Sequence, residues 1–100
     1  MTPLEAEVRA VAADLEGVSV SEAAGVTTWA RGGTAFAALG TGGIELRLDP
    51  PIALAATRTP DVAPSARGPE WVRFNPRELD GHAIDRLRAW FELACRRAAA

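Results

Sequence analysis

A chain of 100 residues with a formal net charge of -2 and a pI near 5.3 is the length of one domain, and its acidic balance weighs against nucleic acid as a partner. The lone Cys95 excludes an internal disulfide and, with the lone His82, leaves no Cys/His set for a metal. No run reaches the roughly 18 apolar residues of a membrane span, and no basic stretch followed by an apolar run opens the sequence, so the expectation is a soluble, cytoplasmic protein.

All eleven basic residues are Arg, and Lys, Tyr and Gln are absent. A GC-rich coding bias produces that pattern without selection for guanidinium chemistry, so Arg usage alone assigns no ligand. Three Arg stand against seven acids in residues 1–50 and eight against six in residues 51–100, a mild dipole that names no partner.

The N-terminus predicts a helix over residues 3–16. Thr2 is placed to cap it, Pro3 suits the first helical position, and Glu5 at the third completes a capping box. Leu4, Val8, Val11 and Leu15 recur on one helical face, and Gly17 ends the pattern. Val18-Ser-Val-Ser-Glu22 alternates with period two and predicts a first strand. Residues 26–31 and 34–39 flank Gly32-Gly33, a two-residue loop able to take the positive dihedrals of a hairpin turn. After Gly40-Thr-Gly-Gly43, Ile44, Leu46 and Leu48 alternate with Glu45 and Arg47, which places the latter two outward.

Asp49 then predicts a cap for a short helix over residues 52–56. Three prolines and Arg67-Gly68 mark residues 57–69 as a loop with room for a brief edge strand. Trp71 to Phe74 predicts the last strand, and a closing helix follows over residues 80–97 with Ile84, Leu87, Phe91 and Ala94 on its apolar stripe. The expected fold is α+β: an N-terminal helix, an antiparallel meander of about five strands, a short middle helix and a long C-terminal helix packed on one sheet face, in a single domain.

Enzyme chemistry finds little footing. His82 and Cys95 lie about 20 Å apart along one straight helix, so they form no nucleophile–base pair. Among Glu45, Asp49, Asp61 and Glu70 no spacing singles out two carboxylates for acid–base work. Gly40-Thr-Gly-Gly43 lacks the Lys of a phosphate loop and leads into a strand. No catalytic residue, metal or cofactor is therefore assigned. Trp29, Trp71 and Trp90 remain, each able to bury roughly 150–250 Å². Trp71 and Trp90 read as core. Trp29 shares its strand phase with Thr27 and Arg31 and is the tryptophan placed for contact. Arg67, Trp71, Arg73 and Arg77 supply a basic, aromatic pattern for nucleic acid, diluted by Glu70, Glu78 and Asp80.

The initial helix with Leu15-Glu-Gly-Val18, the glycine-punctuated meander with Thr34-Ala-Phe-Ala-Ala-Leu39, Trp71-Val-Arg-Phe74 and the closing helix together resemble the YjbR/MmcQ-like proteins and the small bacterial luciferase-like domains. The resemblance spans nearly the whole chain. It implies helices against an antiparallel sheet and no established reaction. The functional expectation is a non-enzymatic binding or protein-interaction module for a protein or a small anionic or planar ligand, with Trp29, Arg47, Arg58 and Arg67 as contact residues. A homodimer is compatible with it.

Overall fold

The computed structural model describes residues 1–99. The order of elements is α1 (Pro3–Ala13), β1 (Val18–Ala23), β2 (Val26–Arg31), β3 (Thr34–Gly40), β4 (Gly43–Arg47), α2 (Pro50–Ala56), β5 (Val62–Pro64), β6 (Trp71–Phe74) and α3 (Gly81–Ala99). The α+β expectation holds, with six strands in one antiparallel sheet of order β1-β2-β3-β4-β6-β5. The additional strand is β5, which pairs with β6 to form the far edge.

Helix α1 starts as its sequence dictates, with Thr2 Oγ1 accepting from the Glu5 N–H at 3.1 Å. The reciprocal half of the box does not form, because the Glu5 carboxylate accepts from Arg9 Nε at 3.0 Å instead. The helix ends at Ala13, three residues short of the predicted 3–16 and two before the last residue of its apolar pattern, Leu15. The N–H groups of Asp14 and Leu15 bond to Val11 and Ala12, tightening the last turn into the Gly17 exit. At α3, Asp80 caps through Oδ1 to the Ala83 N–H at 2.9 Å. Asp49 makes no such side-chain cap on α2, since its carboxylate is held by Arg97.

Two hairpins carry the first half of the sheet. Ala24-Gly25 and Gly32-Gly33 both have positive φ at each residue, the type I′ geometry that matches the twist of the flanking strands. In β3 the alternation is reset once. Trp29 pairs with Ala37 but Ala30 pairs with Ala35, so an extra residue is accommodated opposite β2. This bulge lets Phe36 and Ala37, adjacent in sequence, both be buried on the core side.

Helix α3 lies across β2, β3 and β4, with α1 beside it. Its apolar stripe inserts Leu87, Phe91 and Ala94 against Trp29, Phe36, Ile44, Leu46, Val72 and Phe74. Full burial of a side chain such as Phe91 stabilises the fold by about 1.5–3 kcal/mol. Neither α1 nor α3 covers the opposite face. Antiparallel partners project to the same side, so that face carries Ser19, Ser21, Thr28, Ala30, Glu45, Arg47, Trp71 and Arg73. Its floor is polar or small, and its largest side chains gather at the end where β4 stops and β6 begins.

Among the described residues no helix is long and apolar enough to cross a membrane.

Candidate functional site

That end of the open face holds a cleft of about 520 Å³ between the β2–β3 turn, the end of β4, the start of α2 and the loop that leads into β6. Its walls are Arg47, Arg67, Glu70 and Trp71, with Pro50, Gly68 and Pro69 as apolar lining and Thr34 and Ala35 across from them.

Each wall is positioned by an identifiable local cause. Arg47 lies between the buried Leu46 and Leu48 and so projects outward, directly opposite Trp71 in the ladder. The loop before Trp71 folds back on itself, with the Trp71 N–H donating to Gly68 O at 3.1 Å and the Ser65 N–H donating to Trp71 O at 3.1 Å. Gly68 takes φ +146°, open to glycine and costly for other residues. This turn swings Arg67 over the Trp71 ring, with the guanidinium carbon 5.3 Å from the ring centroid.

Two carboxylates hold the two arginines. Arg67 Nε donates to Glu45 Oε1 at 3.0 Å, and the buried Ser65 hydroxyl donates to Glu45 Oε2 while accepting from the Arg67 N–H at 3.1 Å. Arg47 Nε donates to Glu70 Oε2 at 3.1 Å. Glu70 Oε1 in turn accepts from Arg97 Nη2 at 2.6 Å, and Arg97 Nε donates to Asp49 Oδ1 at 2.6 Å. Hydrogen bonds from Arg97 first and Arg47 second hold the Glu70 carboxyl below the usual carboxylate range. The same contact with Glu70 raises Arg97 above the ordinary arginine value. One nitrogen, Arg97 Nη1, is buried without a partner among the described residues.

Arg47 and Arg67 each use only Nε toward their carboxylate. Their terminal Nη atoms have no side-chain acceptor among the described residues. A guanidinium anchored in this way has its orientation fixed while its outer donors remain free, and two of them share a cleft with one aromatic ring. The arrangement can receive an anion together with a flat apolar body.

Of the four residues expected to make contact, the structure brings two together here. Arg47 and Arg67 line the cleft, but Arg58 is exposed just beyond α2 and does not line it. Trp29 is on the other face, 2% exposed and edge-on to Phe91 with centroids 5.8 Å apart. The strand phase that Trp29 shares with Thr27 and Arg31 is the core phase: Thr27 is buried, its hydroxyl donating to Glu22 at 3.3 Å. Conversely Trp71, expected in the core, is half-buried in the cleft. Trp90 packs edge-on to Phe74 at 5.3 Å from a half-buried position at the margin of the core. Glu45, Glu70 and Ser65 join the site from positions whose spacing gave no signal, because their pairing depends on the return of β6 beside β4.

The carboxylates weighed for acid–base chemistry are all engaged by arginine: Glu45 with Arg67, Asp49 and Glu70 with Arg97, and Asp61 with Arg77 at 3.4 Å. Cys95 is buried and His82 is exposed near the far end of the same helix. Among the described residues no group of three or more His, Cys, Asp or Glu could hold a metal ion. No family model matches the chain, and neither a curated protein nor a solved structure is similar enough to match it.

Proposed function

We propose that this chain is a cytoplasmic, non-enzymatic binding module whose cleft takes a small planar ligand carrying an anionic group. The observation that carries the reading is the pair Arg47 and Arg67, each anchored through Nε with its terminal nitrogens free, in one cleft with the half-buried Trp71: Arg67 lies over its ring and Arg47 is its ladder partner. The ring offers a stacking surface, and Pro50 and Pro69 extend it. A cleft of about 520 Å³ lies within the range of roughly 300–1,000 Å³ usual for small-molecule sites. The resemblance in layout to the YjbR/MmcQ-like and luciferase-like domains belongs to the same proposal, since it too implies a sheet-based module without a reaction.

Calorimetric titration with 2-naphthoate and with the uncharged 2-naphthamide tests the reading. Binding of the carboxylate and not the amide is expected, and Arg47→Met/Arg67→Met should abolish it. Equal binding of the two probes, or none of either, would remove the proposal.

One observation favours a second reading, single-stranded nucleic acid. Trp71 and Arg73 share the open face, and Arg73 is exposed without an ion-pair partner among the described residues. Arg77 does not extend that stripe, because it turns to Asp61 beyond the end of β6. Retardation of an oligothymidylate at low salt, lost on raising the salt, is the outcome that would favour it.

A further inference from the structure

We infer that β1 is a self-association edge, through which two copies of this chain join their sheets about a two-fold axis at Val20. The two edges of the sheet differ in kind. β5 is three residues long and ends in Pro64, which cannot donate to a further strand. β1 is six residues long, free of proline, glycine and basic residues, and carries one of the few large exposed apolar side chains, Val20 at 54%.

The hydrogen-bond phase of β1 follows from its turn. A two-residue type I′ loop makes the flanking pair, Ala23 with Val26, a hydrogen-bonded one, and bonded pairs then alternate to Ser21–Thr28 and Ser19–Ala30. The N–H and C=O groups of Val18, Val20 and Glu22 therefore point away from β2. Two such edges meet antiparallel with Val20 opposite Val20 of the partner subunit and Val18 opposite Glu22 of the partner subunit. Every outward group then has a partner, so the strand is its own complement.

The side chains of these three residues project to the helix-covered face, where a groove of about 220 Å³ runs between β1 and α1, lined by Ala12, Ala13, Val18, Val20 and Trp29, with Arg9 at its end. Val20 of the partner subunit closes that groove. Charge is complementary as well. The two-fold brings Glu22 of each copy beside Val18 of the other, whose register partner is Arg31. The Arg31 side chain lies along Gly17 at the start of β1, its only side-chain acceptor among the described residues is the Cys95 sulfur, and it joins no ion pair there. Glu22 is 65% exposed at its side chain and uses Oε1 alone, toward Arg9 and Thr27, leaving Oε2 for the partner's Arg31.

Sedimentation equilibrium over a concentration series, combined with amide exchange by NMR, tests the inference. The expected result is a monomer–dimer equilibrium in which the N–H groups of Val18, Val20 and Glu22 gain protection with concentration while those of Ser19 and Ser21, already bonded to β2, do not change. Val20→Lys should remain monomeric throughout. Leu54→Lys, at an equally exposed apolar residue on α2, should dimerise like the parent chain. A parent chain that stays monomeric at every concentration would overturn the inference, as would dimerisation of Val20→Lys at parental strength or protection gained elsewhere than on alternate residues of β1. A strand from another protein as the natural occupant would appear as the first of these results.

Discussion

Trp29 and Phe91 meet edge to face, ring planes 79° apart, and so join β2 to the middle of α3. Phe36 approaches the same Phe91 ring at 5.2 Å and 77° from the neighbouring strand. One phenyl ring on the long helix thereby registers two strands of the sheet. A second tryptophan, Trp71, is on the opposite face beneath Arg67, so two residues of the same type serve different ends.

The contrast is measurable in stability. Trp29→Ala should cost about 3–5 kcal/mol, because it empties a packed core position. Trp71→Ala should cost about 1–2 kcal/mol, since its half-buried ring packs mainly against the cleft loop. Urea denaturation of both variants gives the comparison, and similar losses would mean that Trp71 is also core.

Gly43 opens β4 with φ +109°, and a Cβ there would stand 2.5 Å from the carbonyl oxygen of Phe74. The clash is with backbone, so β6 would have to shift away from β4. Gly43→Ala should therefore destabilise by about 3–5 kcal/mol from strain and overpacking together. Gly33→Ala, at φ +80° with nothing within 4 Å, should lose only about 1–2 kcal/mol. Denaturation midpoints for the two variants check this order.

Ala24 occupies the first position of a type I′ turn at φ 52°, a conformation that disfavours alanine. Ala24→Asn installs the Asn-Gly pair preferred there and should raise stability by about 0.5–1 kcal/mol. A thermal midpoint that failed to rise would show that the hairpin carries no strain at this residue.

Much of this fold is legible in the sequence, and the exceptions have identifiable causes. Leu87, Phe91 and Ala94 of the α3 stripe, the Thr2 cap, the glycine turns and the alternation through Ile44, Leu46 and Leu48 are local signals that the structure bears out, while Ile84 is only half-buried and Ala83 takes the core position beside it. The bulge at Phe36 and Ala37 is not such a signal, because a single inserted residue changes the facing of a strand without altering its composition. Trp29 is hidden for a different reason: Thr27 and Arg31, which share its strand phase, are polar although that phase faces the core. In the cleft, the outward facing of Arg47 was readable from alternation. Its pairing with Glu70, and that of Arg67 with Glu45, was not, since both depend on β6 pairing beside β4 after an intervening helix and edge strand.

The Glu70 network makes a pH prediction. A carboxyl whose folded value is depressed adds stability that is present above its unfolded value and is lost as pH falls through the folded one. The arginine contacts at Glu70 should therefore make the protein lose stability as pH drops from the ordinary glutamate range to below Glu70's depressed value. Arg97→Met, which removes the larger of the two causes, should flatten that part of the profile. Urea midpoints at a series of pH values measure it, and an unchanged slope in the variant would exclude Glu70 as the source.

The most direct test of the cleft is the indole N–H resonances of the three tryptophans during titration with 2-naphthoate. The Trp71 signal should shift and saturate while those of Trp29 and Trp90, held against Phe91 and Phe74, stay in place. Movement of the Trp29 or Trp90 signal with Trp71 unperturbed would put binding elsewhere and contradict the cleft assignment.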